Sequence, residues 1–128
     1  MMKRILIVDD DQDIVKLVED RLEDNNYEVI CANDGDDGIN KAKQQQPDLI
    51  IMDIIMPGMS GGDAVRLLKA DGQTKNIPII FLTAAVADIS KGQEIKTVNV
   101  DGQFLPAIAK PFNPSELLFE IKKLIGGK

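Results

Sequence analysis

Asp48-Leu49-Ile50-Ile51-Met52-Asp53, followed by Ile54-Ile55-Met56-Pro57-Gly58, reads as a buried β-strand that ends in a carboxylate. Its apolar residues are nearly continuous rather than alternating, the pattern of a parallel strand covered on both faces. Working outward, comparable runs occur at Ile5–Val8, Glu28–Ala32, Ile77–Thr83 and roughly 104–109. Helical patterns separate them. Ile14, Leu17, Val18 and Leu22 fall on one stripe before Asn25-Asn26, a helix stop. Gly38, Ile39 and Ala42 mark a second helix ending before Pro47, and Ala64, Val65, Leu67 and Leu68 a third, with Gly72 near its end. The last helix starts at Asn113 as N-cap with Pro114 in the first helical position and Glu116 placed for a capping box. Its expected buried stripe is Leu117, Leu118, Ile121, Leu124 and Ile125, and Gly126 ends it. Segment 84–100, with Ile89, Ile95 and Val98, is expected to be a short or irregular helix. Repeated strand–helix units predict an α/β domain with a parallel sheet.

The chain has 128 residues, 44% hydrophobic and 28% charged, with a net charge of −6. That length suits one domain over 1–128, without room for a separate output domain. Its apolar runs are too short to span a bilayer, and Met1-Met2-Lys3-Arg4 leads into a buried strand rather than a signal peptide. The expected location is cytoplasmic. Net acidity disfavours nonspecific nucleic-acid binding, which requires a basic face. The single cysteine, Cys31, is expected to be a small core residue. There is no histidine, so His-based triads and the usual zinc sites are excluded.

Ligands of open parallel sheets bind beyond the carboxyl ends of the strands. The first apolar run ends in Asp9-Asp10-Asp11, the third in Asp53, the fourth in Thr83 and the fifth in Lys110. A parallel arrangement brings all four ends to one sheet edge. Asp11 alone is accounted for as a helix cap, which its carboxylate suits. Clustered carboxylates, by contrast, repel one another unless a cation neutralises them. Hard oxygens without His or Cys suit Mg²⁺. Taken singly, Lys110 is also a plain surface lysine and Thr83 a plain strand end.

Together these motifs resemble the receiver domains of response regulators over essentially the whole chain. The matching stretches are residues 5–11 (Ile-Leu-Ile-Val-Asp-Asp-Asp), 47–61 around Asp53, 77–84 (Ile-Pro-Ile-Ile-Phe-Leu-Thr-Ala) and 110–112 (Lys-Pro-Phe). The resemblance implies a flavodoxin-like three-layer sandwich with five parallel strands in the order 2-1-3-4-5 and about five helices. It implies that Asp53 accepts a phosphoryl group from a phosphohistidine on a sensor histidine kinase or histidine phosphotransfer protein. Asp10, Asp53 and the backbone carbonyl of Ile55 would hold Mg²⁺, with Asp9 acting through a metal-bound water. Thr83 and Lys110 would contact phosphoryl oxygens, and Lys110-Pro111 would be a cis peptide.

The resemblance further implies altered partner binding around the fourth helix and last strand, with an unidentified downstream protein as target. Here the chain departs from the family, because the aromatic expected three residues before the lysine is Ala107, with Phe104 out of register. Pro106 in that strand is expected to be tolerated at a sheet edge. Two other functions compete: a degenerate receiver that binds partners without phosphorylation, and a Mg²⁺-dependent phosphohydrolase. Such hydrolases commonly carry a second aspartate two residues after the nucleophile, where this chain has Ile55. Ile55 and Ala85 are both apolar and cannot orient a hydrolytic water, so an acyl phosphate on Asp53 is expected to decay slowly.

Overall fold

The computed structural model describes residues 2–83, 97–110 and 112–126. Each expected run forms a strand: β1 (Arg4–Val8), β2 (Glu28–Ala32), β3 (Leu49–Asp53) and β4 (Ile79–Thr83), followed after β5 (Thr97–Val100) by β6 (Gln103–Ala109). Their spatial order is β2-β1-β3-β4-β6-β5. The first five are parallel to their neighbours, in the expected doubly wound order.

The described helices are α1 (Gln12–Asp24), α2 (Gly35–Gln45), α3 (Gly61–Ala70) and α4 (Pro114–Ile125). Strand alternation splits the core into two layers. Leu6, Val8, Ile50, Met52, Ile79 and Phe81 pack with Ala42 of α2 and with Ala64, Val65 and Leu68 of α3. On the opposite face, Ile5, Ile7, Leu49, Ile51, Ile80 and Leu82 pack with Val18 and Leu22 of α1 and Leu117, Leu118 and Ile121 of α4. Burial on both faces is why these strands read as continuous apolar runs.

Local chemistry sets the helix ends. Asp11 caps α1, its side chain accepting from the backbone N–H groups of Asp13 and Ile14. Asn113 caps α4 through the N–H of Ser115, with Pro114 at the start and Gly126 at φ 72° as the stop. Asn26, at φ 69°, takes the left-handed conformation just past α1. The helical stripes, however, need correction. Leu17, Leu67 and Leu124 are exposed, while Val15 is buried in place of Leu17. Leu17 and Leu67 each lie one position from a buried neighbour and Leu124 sits in the last turn of α4, so the apolar stripes are narrower than their hydrophobicity suggests. Cys31 is only half-buried, because β2 is an edge strand.

The largest correction lies at the far edge of the sheet. Residues 97–100, expected in a helix, form β5, antiparallel to β6. Ile89 and Ile95 lie outside the described residues. Val100 pairs with Gln103, so Asp101-Gly102 is a two-residue hairpin loop, and both residues have positive φ (51° and 89°). This is the backbone of a type I′ turn, for which Asp-Gly is a preferred pair. Consequently β6 is not the edge strand. Pro106 is accommodated otherwise: it is the last register pair with β5, opposite Thr97, and precedes the β4 pairing, which begins at Ala107. Its missing N–H therefore falls where both ladders run out.

Candidate functional site

The chain passes from β1 to β2 on one side and later to β3 on the other, so the order reverses between β1 and β3. Such a reversal opens a crevice at the carboxyl ends of those strands. Asp9 follows β1 directly and is 0% exposed. Its backbone N–H donates to the carbonyl of Ala32 (3.2 Å), continuing the ladder past β1. Asp53 is the last residue of β3 and 4% exposed. Ile54 donates to the carbonyl of Leu82 (3.0 Å), which extends the β3–β4 ladder beyond the acidic residue and fixes its peptide. Thr83 ends β4 and is 2% exposed. Lys110 follows β6, and its N–H donates to the Thr83 carbonyl at 2.7 Å. Ladder continuity thus delivers four polar side chains to one rim.

Their geometry is close. Lys110 Nζ donates to Asp9 Oδ2 at 2.9 Å and lies 3.4 Å from Asp53 Oδ1. The other oxygen of Asp9 accepts from the N–H of Asp11 at 2.9 Å. Carboxylate oxygens of Asp9, Asp10 and Asp53 lie within 4.8 Å of one another. Asp9 and Asp53 are buried and Asp10 is exposed, so the cluster has two deep ligands and one at its mouth. This all-oxygen donor set fits a hard divalent cation such as Mg²⁺.

Electrostatics distinguish the residues further. Burial, reinforced by the adjacent Asp9 charge, pushes the Asp53 carboxyl up from 3.8 to about 6, although Lys110 pulls the other way. For Lys110, burial opposes the ammonium, but hydrogen bonding and attraction from Asp9 and Asp53 outweigh it and raise its pKa. One half-buried cation thus serves two buried carboxylates. The pair remains a net negative pole that a cation or proton must balance.

Geometry therefore assembles Asp9, Asp10, Asp53, Thr83 and Lys110, as the strand-end argument requires. Ile55 lies in the loop after β3, with a side chain 61% exposed. Ala85 and Pro111 lie outside the described residues, and with them the water-entry position and the expected cis peptide. Sequence reasoning passed over Gly61. It opens α3, its N–H donates to the carbonyl of Ile54 at 2.8 Å, and a Cβ there would collide with the Asp53 carbonyl oxygen. A signal existed in Ser60-Gly61-Gly62-Asp63, a capping pattern: Ser60 Oγ accepts from the N–H of Asp63 at 3.1 Å. Cys31 has no place in this chemistry, since burial raises its pKa and opposes a reactive thiolate.

A doubly wound sheet with an acidic crevice and a largely enclosed lysine is the frame within which the comparisons with known proteins fall. The model of the response regulator receiver domain matches residues 5–122, and the chain belongs to that family. Protein PilH of Pseudomonas aeruginosa is 37% identical over 98% of this chain and 100% of its own length. The phosphate regulon transcriptional regulatory protein PhoB of Klebsiella pneumoniae is 35% identical over 98% of this chain, which spans only 52% of PhoB. Among solved structures, Vibrio cholerae chemotaxis protein CheY4 superposes with a TM-score of 0.83 at 32% identity, covering 97% of this chain and 99% of its own. The receiver domain of sensor histidine kinase PA1611 from P. aeruginosa, with a magnesium ion in its active-site cleft, also gives 0.83, at 28% identity over 99% of this chain and 100% of its own. The chain is a receiver domain of two-component signalling. Among the described residues, no helix is long and apolar enough to cross a membrane.

Proposed function

We propose that Asp53 accepts a phosphoryl group from the phosphohistidine of a sensor kinase or histidine phosphotransfer protein. The observation that carries this reading is a buried carboxylate lifted to about 6, with Lys110 Nζ 3.4 Å away and two further carboxylates within 4.8 Å. An Asp53 oxygen attacks phosphorus, and the histidine nitrogen leaves with its electron pair. Lys110 would contact the transferred phosphoryl oxygens and offset charge gathering on them, and Thr83, at the end of β4, would donate to another. Asp9 orients the lysine, holding its ammonium at 2.9 Å. Mg²⁺ bound by Asp10, Asp53 and the Ile55 carbonyl, with Asp9 through water, would supply the charge neutralisation that phosphoryl transfer chiefly needs. The PA1611 receiver domain, with magnesium in its cleft, supports that choice of ion.

On this reading the protein is a cytoplasmic switch that catalyses only its own phosphorylation and dephosphorylation and controls binding to another protein. Its net charge of −6 argues against nonspecific nucleic-acid binding by this domain. Incubation with acetyl phosphate or phosphoramidate and Mg²⁺ tests the central step. Intact mass should show one phosphoryl adduct on the wild type and none on Asp53→Asn. An adduct on both, or on neither, would overturn the assignment.

A further inference from the structure

Helix α3 touches both the candidate acceptor and the β5–β6 hairpin. At its first turn, the N–H of Gly61 is bonded to the carbonyl of Ile54, and Gly61 lies so close to the Asp53 carbonyl that no side chain fits between them. The acceptor's peptide and the start of α3 therefore cannot shift independently. Further along, Arg66 Nε donates to both carboxylate oxygens of Asp101 at 3.1 Å, and its Nη1 donates to Asp63 at 2.7 Å. Asp101 is the first residue of the type I′ turn, and the next N–H, of Gly102, is held by Asn99 Oδ1 at 2.8 Å.

An exposed ion pair alone contributes little. Here the guanidinium is already ordered by Asp63 on its own helix, so gripping Asp101 costs less side-chain entropy than an isolated pair would. The grip falls on a turn whose backbone is itself constrained. A short helix behaves as a rigid rod, about 15 Å long for ten residues. By contrast, the buried route across the sheet runs through Phe81 and Ala107, register partners of which Ala107 has only a methyl group to move.

We propose that α3 acts as a strut carrying the state of Asp53 to the tip of the β5–β6 hairpin, through Gly61 at one end and Arg66–Asp101 at the other. The inference rests on Asp53 being the phosphoacceptor. Phosphorylation adds roughly −1.5 to −2 charge there. Adjustment of the Asp53 peptide is then taken up by α3 as a body and read as altered opening of the hairpin that carries Phe104, which is 67% exposed.

Hydrogen exchange of peptides covering 97–106, with and without Mg²⁺ and beryllofluoride as a phosphoryl mimic, tests this. Wild type is compared with Arg66→Gln and with Asp101→Asn, which removes the charge but keeps a residue tolerant of positive φ. Beryllofluoride should change hairpin exchange in the wild type. Each variant should shrink that change by roughly 1.5- to 5-fold, the range open to an exposed ion pair. A response of equal size in both variants overturns the proposal. So does an unresponsive hairpin in a wild type that intact mass shows to be phosphorylated at Asp53. Absence of any adduct overturns the phosphoacceptor reading first, and this inference with it.

Discussion

The rim of β1, β3, β4 and β6 and the hairpin at the sheet's far edge are organised by opposite means. At the rim, charge is buried: Asp9 is fully enclosed, Asp53 nearly so, and Lys110 spans both. At the hairpin, charge is exposed, and Arg66, Asp63 and Asp101 pair in water. Buried ions bind their partners strongly because removing one leaves another unsatisfied in a poorly solvated place. Exposed ions are screened, so backbone geometry does more of the holding, through the positive-φ turn and the ladder with β6. Rigidity and chemistry therefore concentrate at one edge, and tolerance of change at the other.

Substitutions can break or sharpen this contrast. The largest effect is expected at the rim from Gly61→Ala, whose Cβ meets the Asp53 carbonyl. A clash with backbone cannot be relieved by a rotamer change, so a loss of about 3 kcal/mol or more is expected in urea unfolding. A variant within 1 kcal/mol of wild type would show that α3 is free to slide away from β3.

Next comes Lys110→Met, which leaves Asp9 and Asp53 buried without their cation and should cost about 2–3 kcal/mol at pH 7.5. The sign with pH follows from Asp53. Its folded-state value of about 6 lies above the ordinary 3.8, so it takes up a proton as pH falls through 6 and has less need of the lysine. The deficit of Lys110→Met should therefore narrow between pH 7.5 and 5. A deficit that widens there would contradict the assigned charges.

The opposite sign is expected for Asp53→Asn. A carboxyl whose folded pKa is raised destabilises the fold above that pKa, and the cost is relieved as pH falls toward the unfolded value. Removing the charge should stabilise the protein by about 1–2 kcal/mol at pH 7.5, read as a Tm gain of a few degrees. The gain should fade near pH 4.5, where the wild-type carboxyl is already protonated. The smallest effect belongs to the hairpin. Gly102→Ala at φ 89° should cost only about 1 kcal/mol, with open space around the new methyl group. A loss as large as that at Gly61 would place the hairpin, too, among the rigid parts.

The two regions also differed in how far sequence reading reached. Asp9, Asp53 and Thr83 were legible because each closes a run buried on both faces, and Lys110 because it closes a largely apolar one, where a polar residue stands out. One arm of the hairpin, β5, was misread as part of a helix, whereas β6 was expected as a strand. Asp101-Gly102 is a recognised hairpin pair, but Thr97–Val100 is short and half-exposed, and Val98 fits either period. Exposure of Leu17, Leu67 and Leu124 escaped for a related reason, since hydrophobicity does not report how wide a stripe its neighbours cover.

What the sequence by itself determined is local: five apolar runs, the caps at Asp11 and Asn113, and the residue types at each strand end. Near-neighbour chemistry sets these, through capping bonds, backbone preferences and the burial demanded by uninterrupted apolar residues. Only the tertiary structure decided the rest. It put Lys110 on both Asp9 and Asp53, 101 and 57 residues away in the chain, and it buried Asp53 beside Asp9, which raises Asp53 to about 6 against the pull of the lysine. It also added an antiparallel sixth strand and packed Gly61 against the carbonyl of Asp53. Desolvation, charge proximity and close backbone packing arise only when distant segments meet, so no local pattern encodes their strength.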